Sequence, residues 1–262
     1  MGRRVLALHG VLVFAFLYLP IGIVVAYAFN GGRQTLNWEG FSTRWFGEAL
    51  RDDTITGALR NSLVVAAGNA LVACVLGTML ALAISRMRAS LRVPLDALVT
   101  MTLVTPEIVF GISALVFFSH AGIALGLKTI LIAHVVFNAS VVALVVRARV
   151  VGMGQSFEEA SYDLGAGPLS TFRQVTLPRL APAIVAGGLL AFTFSFDDFY
   201  TSFFVSGAGT STLPLFIFSS LRFGVSPVVN ALAVMILALT IVASVVAYLV
   251  LRRSGQRTLP GL

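Results

Sequence analysis

The chain has 262 residues, of which 58% are hydrophobic and 11% charged, and a formal net charge of +7. Soluble domains carry about 25% charged residues, so this composition excludes a soluble enzyme and points to an all-α, multi-pass membrane protein. The surplus of arginine fits loops beside anionic lipid, and no basic patch interleaved with aromatics suggests a nucleic-acid partner.

Six apolar stretches are each long enough for a membrane helix, which needs about 20 residues. They lie at 6–29, 59–84, 95–119, 129–146, 181–205 and 228–251. The first follows Arg3 and Arg4 and has Ala26-Tyr27-Ala28 near its end, as a signal peptide would. It exceeds the roughly 7–15 residues of a signal core and is read as an uncleaved first helix. With both termini in the cytoplasm, twelve of the 18 basic residues fall inside: Arg3, Arg4, Arg86, Arg88, Arg92, Arg147, Arg149, Arg173, Arg179, Arg252, Arg253 and Arg257. Arg33, Arg44, Arg51, Arg60, Lys128 and Arg222 fall outside. This bias sets the expected orientation.

The first outer loop, 30–58, mixes Trp38, Phe41, Trp45 and Phe46 with charges. Two readings stand: an interfacial anchor, or a short amphipathic helix that meets an extracytoplasmic protein. Cys74 lies alone in an apolar run, so no disulfide forms within the chain. In the third stretch Glu107 follows Pro106, which frees a backbone carbonyl. That predicts either a kink or a broken helix lining a cavity. His134 and Asn138 lie one turn apart on the fourth. Interhelical hydrogen bonding is preferred there over metal binding, since no carboxylate or thiol nearby completes a ligand set. Gly68 and the Gly187-Gly188 pair fit close helix packing.

Ahead of the fifth stretch comes a long polar interruption, 156–178. Ser156 and Glu159 have capping-box spacing, and Glu158 and Glu159 suit a helix N-terminus. Gly165 fits the left-handed position past a helix end, and Pro168 could open a second short helix through Leu169, Phe172 and Val175. Leu164, Leu169 and Phe172 on such a loop suggest a docking surface.

Within the fifth stretch stand Asp197 and Asp198. Charges at a membrane centre cost at least about 2.5–3.5 kcal/mol each, which makes them functional candidates, as Glu107 is. Adjacent helical residues point about 100° apart, so one aspartate at most faces a pathway squarely. Phe192, Phe194, Phe196, Phe199, Tyr200, Phe203 and Phe204 surround them. Separated carboxylates with aromatic faces between them suit an organic cation. The competing reading is a structural lock, with an aspartate bonded to Asn138, His134 or Ser195. No GxxxxGK[ST] loop, catalytic triad elbow or HExxH is present, so no catalytic residue and no nucleotide site is expected.

Glu159-Ala160-Ser161, Gly165 and Val175-Thr176-Leu177-Pro178 keep the full spacing of the EAA loop, and on these residues the chain resembles the binding-protein-dependent ABC importer permeases. Ser161 replaces the second alanine of that pattern and Val175 its isoleucine. The strings Thr105-Pro106-Glu107-Ile108-Val109, Ser195-Phe196-Asp197-Asp198-Phe199, Thr212-Leu213-Pro214 and Arg222-Phe223-Gly224-Val225-Ser226-Pro227 resemble the spermidine/putrescine branch of that family. The resemblance implies a type I permease fold of six helices, with residues 1–58 as first helix and outer loop, 59–251 as permease domain and 252–262 as cytoplasmic tail. It implies an ATPase dimer, a second related permease and an extracytoplasmic polyamine-binding protein as partners, in a bacterial inner membrane. ATP and Mg would sit on the ATPase, with no cofactor or metal on this chain. Glu158, Glu159, Ala160, Asp163, Gly165, Leu169, Phe172, Leu177 and Pro178 would couple to the ATPase. Glu107, Asp197, Asp198, Phe196 and Tyr200 would line a polyamine pathway. Another small solute or a metal ion remains an alternative cargo, and a proton-coupled secondary transporter an alternative class.

Overall fold

The computed structural model describes residues 2–33, 37–154, 156–222, 224 and 226–255. Lipid offers no hydrogen-bond partners, so a spanning chain must satisfy its backbone internally. Among the described residues the regular structure is helical, apart from one isolated bridge between Asn30 and Phe41. In chain order the helices are α1 (Gly2–Ala28), α2 (Arg44–Arg51), α3 (Asp53–Arg86), α4 (Ala89–Val104), α5 (Glu107–His120), α6 (Leu127–Met153) and α7 (Ser156–Asp163). They continue with α8 (Pro168–Thr171), a π-helical turn (Phe172–Thr176), α9 (Leu177–Asp197), α10 (Tyr200–Val205), α11 (Leu213–Leu221) and α12 (Pro227–Gly255).

The six expected spans are not six unbroken helices. Four described helical runs are long and apolar enough to cross: Val5–Ala28, Asp53–Arg86, Leu127–Met153 and Pro168–Asp197. The third expected span is two helices, α4 and α5, bent by 107° where they meet, and counting them as one gives five. The sixth corresponds to α12, whose shorter apolar stretch is Pro227–Val242. Phe223, Val225 and Arg257, which entered the sequence reading, lie outside the described residues.

The chain divides into two compact units, one of residues 57–216 and one joining 1–56 to 217–262. In the second, α12 packs on α1 and α2. Ala28, Trp45 and Ala231 form its buried centre, with Phe29, Phe46, Val228 and Val234 against them. Trp45 is therefore not on show: its indole Nε1–H donates to the carbonyl of Asn30 at 2.7 Å. Trp38 and Phe41 are the exposed aromatics of that loop.

In the 57–216 unit α6 is the central helix, packed on α9 and also touching α4, α5 and α10. Small residues let the helices approach closely, as membrane packing favours. Ala73 and Ala81 of α3, Val142, Ala143 and Val146 of α6, and Leu180 and Ala191 of α9 form one buried cluster. Asn69 ties α3 to α9 by donating to the Ala191 carbonyl at 2.8 Å, and Ser62 Oγ accepts from the Leu213 amide at 2.8 Å.

Beside the site, α5 comes close to α10 at Gly111. A Cβ there would lie 2.8 Å from Phe204 Cδ2 and 3.3 Å from the Thr201 Cα and the Tyr200 carbonyl. Gly111→Val should therefore overpack this contact, at a cost of about 1–3 kcal/mol. The purified protein in detergent should melt several degrees lower; an unchanged melting temperature would contradict the close packing.

Candidate functional site: two broken helices around one cavity

Pro106 breaks the third span. It has no amide hydrogen to donate, and its ring disfavours helical backbone at the residue before it. Thr105 and Pro106 are both extended, with ψ of 127° and 134°. The chain then re-enters helix at Glu107, in the first turn of α5.

The fifth span breaks for a different reason. Asp198 is extended, with φ −67° and ψ 118°, between the end of α9 and the start of α10. Its carboxylate accepts from the amides of Thr201 at 3.3 Å and Ser202 at 2.8 Å. A short acidic side chain that competes for backbone amides ends one helix and starts the next. The same carboxylate accepts from Ser202 Oγ at 3.0 Å and meets His134 Nε2 at 2.9 Å. The other ring nitrogen of His134, Nδ1, bonds Ser195 Oγ at 2.7 Å. With Nε2–H donating to the carboxylate, Nδ1 accepts the serine hydroxyl. This buried relay ties α6, α9 and α10 together. It is the lock reading, and it belongs to Asp198.

Asp197, the last residue of α9, is exposed. Among the described residues neither Asp197 nor Glu107 has a hydrogen-bond or ion-pair partner. The two adjacent aspartates differ in their partners where the helix ends between them.

Glu107, Asp197, Asp198 and Tyr200 all line one cavity of about 320 Å³. Phe110, His134, Phe137, Asn138, Thr193, Phe194, Phe199 and Thr201 complete its wall. Phe196, expected on the pathway, is not part of this wall; it stacks on Phe192 at 5.9 Å. Phe110 and Phe137 meet edge to face at 6.0 Å. The wall residues absent from the sequence reading follow helical spacing. Phe110 is three positions beyond Glu107, Phe137 three beyond His134, and Thr193 four before Asp197.

The 156–178 loop takes a defined shape at a separate place. Helix α7 begins at Ser156, so Ser156 sits in its first turn and not at the expected cap position. It ends in a paired motif in which Gly165 donates to the Tyr162 carbonyl at 2.8 Å and Ala166 to the Ser161 carbonyl at 3.1 Å. Gly165 has φ +81°, as expected. Ser161 Oγ bonds Thr171 Oγ1 at 3.0 Å, so the departure from alanine joins α7 to α8.

The second short helix is not a separate element. From Pro168 the helical run continues through a π turn into α9. Pro178 cannot donate to the carbonyl four residues back, and the wide turn before it accommodates the missing bond. Of the expected coupling residues, Glu159, Ala160, Asp163, Gly165, Leu169, Leu177 and Pro178 are exposed and Phe172 is half-buried. Glu158 instead turns inward: Arg86 donates to it at 3.0 Å and Thr176 Oγ1 at 2.6 Å. Arg147 pairs with Asp96 close by, and Arg86, Arg92, Arg147 and Glu158 border a second cavity of about 210 Å³.

Residues 73–259 match the family described as binding-protein-dependent transport system inner membrane component. The chain is 43% identical to the putrescine transport system permease protein PotI of Escherichia coli (strain K12), over 93% of this chain and 90% of that one. It is 37% identical to the spermidine/putrescine transport system permease protein PotC of the same strain, covering 92% and 91%. Its fold is similar to a chain of a bacterial ABC transporter involved in import of the acidic polysaccharide alginate. That match has a TM-score of 0.69 at 18% identity and covers 96% of this chain and 95% of the other. It is also similar to a chain of the MetNI methionine ABC transporter, with a TM-score of 0.64 at 18% identity over 75% and 94%.

The different settings of the two aspartates give an asymmetric expectation. Asp198→Ala removes acceptors for two amides, a hydroxyl and His134, and should cost on the order of 1–3 kcal/mol. Asp197→Ala removes no bond among the described residues and should leave the melting temperature unchanged. Thermal melting of both variants in detergent checks this; equal destabilisation would contradict it.

Proposed function

The chain belongs to the family of binding-protein-dependent transport system inner membrane components, and from that premise we propose that it carries polyamines through the membrane as one of two permeases in an ATP-driven importer. As an all-α permease component it is not itself the ATPase. The observation that carries the cargo reading is the pair of unpartnered carboxylates, Glu107 and Asp197, on one aromatic-walled cavity. A charge held inside a span costs about 2.5–3.5 kcal/mol or more, and a diammonium cargo would relieve both at once. Its apolar stem would lie against Phe110, Phe137 and Phe194, and its ammonium groups would gain about 0.5–2 kcal/mol from each ring face they meet. A volume near 320 Å³ lies at the lower end of the range of small-molecule sites, about 300–1,000 Å³. The names of the two E. coli relatives support this cargo class.

In the proposed cycle, ATP and Mg bind the ATPase pair and not this chain. Closure of that pair pulls on the α7–α8 corner, where Leu164 and Leu169 are 89% and 71% exposed. Because α8, the π turn and α9 form one helical run that ends at Asp197, movement of the corner reaches the carboxylate without an intervening hinge loop. A differential contact at that corner is what a ligand-driven shift requires. An extracytoplasmic binding protein delivers the cation on the side away from the ATPase, and both termini lie in the cytoplasm of a bacterial inner membrane.

Cells lacking their own polyamine uptake, given this chain with its second permease, ATPase and binding protein, should accumulate radiolabelled putrescine. Spermidine should compete, and ATPase inactivation should abolish uptake. Uptake that survives ATPase loss and collapses with the proton gradient would overturn the assignment. Glu159→Lys should reduce co-purification of the ATPase at least several-fold while membrane insertion stays intact. Normal co-purification would remove the coupling role.

A further inference from the structure

Two polar residues of α6 stand one turn apart beside the cavity and differ in their partners. His134 has both ring nitrogens engaged, with Ser195 and Asp198. Asn138 is 2% exposed, lines the cavity, and has an Oδ1 with no hydrogen-bond partner among the described residues. Native structures rarely leave a buried polar atom unpaired, and one beside a cavity points to a partner that arrives there.

We infer that Asn138 is a cargo-contacting residue that sets specificity, its amide oxygen accepting a hydrogen bond from an ammonium group of the transported cation. The inference rests on the polyamine reading above. Oδ1 is the end of this amide that still lacks a donor, and rotation about the side-chain bonds can adjust its direction without moving α6. Glu107 comes from α5, Asp197 from α9 and Asn138 from α6, so three helices each supply one acceptor. The carboxylates attract any cation. The amide adds direction, because it needs an N–H aimed at it. A neutral acceptor in this position also keeps the count of unpartnered carboxylates at two, which matches a diamine.

The test is uptake of radiolabelled putrescine and spermidine by the full transporter in proteoliposomes, comparing wild type with Asn138→Leu, Asn138→Ser and Asn138→Asp. Co-purification and melting are measured on the same preparations. Asn138→Leu should lower putrescine transport efficiency by about tenfold, as expected for one lost hydrogen bond to a charged group, with the complex intact. Asn138→Asp adds a third carboxylate and should raise the ratio of spermidine to putrescine uptake. Wild-type transport by an intact Asn138→Leu complex would overturn the inference. So would loss of the complex in all three variants, or equal losses for both cargoes with an unmoved ratio in Asn138→Asp. Absence of any polyamine uptake by wild type would overturn the polyamine reading itself, a distinguishable failure.

Discussion

The arrangement of the cavity depends on one carboxylate that takes backbone amides from a helix. Asp198 holds the Thr201 and Ser202 amides, so α9 cannot continue and α10 must begin again at Tyr200. The interruption is stable because the same carboxylate is held by His134, and His134 by Ser195. Non-helical backbone at membrane depth is tolerated only where protein or a cavity satisfies it, and here a side chain does so. Pro106 interrupts the neighbouring span, and Gly111 then lets α5 sit against α10. Two breaks with different causes thus border one cavity, with Glu107 and Asp197, neither paired among the described residues, on its wall.

The other end of α9 explains how a remote event could reach this place. The run from Pro168 to Asp197 is continuous helix, and Glu158 braces its start through Arg86 and Thr176. A π turn stores one residue of slack ahead of Pro178. A corner with exposed leucines at one end and a free carboxylate at the other is a lever in the proposed cycle, with α6 as the surface it packs against.

Much of this was legible in the sequence. The polar interruption at 156–178, the left-handed Gly165 and the cost of three acids in apolar stretches all follow from residue chemistry. The structure chose between readings left open. Pro106 gives a break and not a kink, and the hydrogen bonds of the lock reading fall to Asp198 and not to Asp197, while both line the cavity. That division was legible in principle, since Asp198 followed by Thr201 and Ser202 has the spacing of a helix-start signal. Phe196, expected on the pathway, stacks on Phe192 and lies outside the cavity wall, where Thr193 and Phe194 take the helix positions beside Asp197. Trp45 illustrates the limit of composition. An aromatic in a charged loop looks like a surface anchor until its indole hydrogen finds Asn30.

The most direct measurement is the concentration dependence of radiolabelled putrescine uptake by the reconstituted transporter, with Asp197→Asn and wild type side by side. If Asp197 is the free carboxylate of the cation path, the substitution should raise the half-saturating concentration by about tenfold or more, with complex assembly and melting unchanged. An unchanged concentration dependence, or a complex that no longer assembles, would contradict the separation of pathway from lock at the break between Asp197 and Asp198.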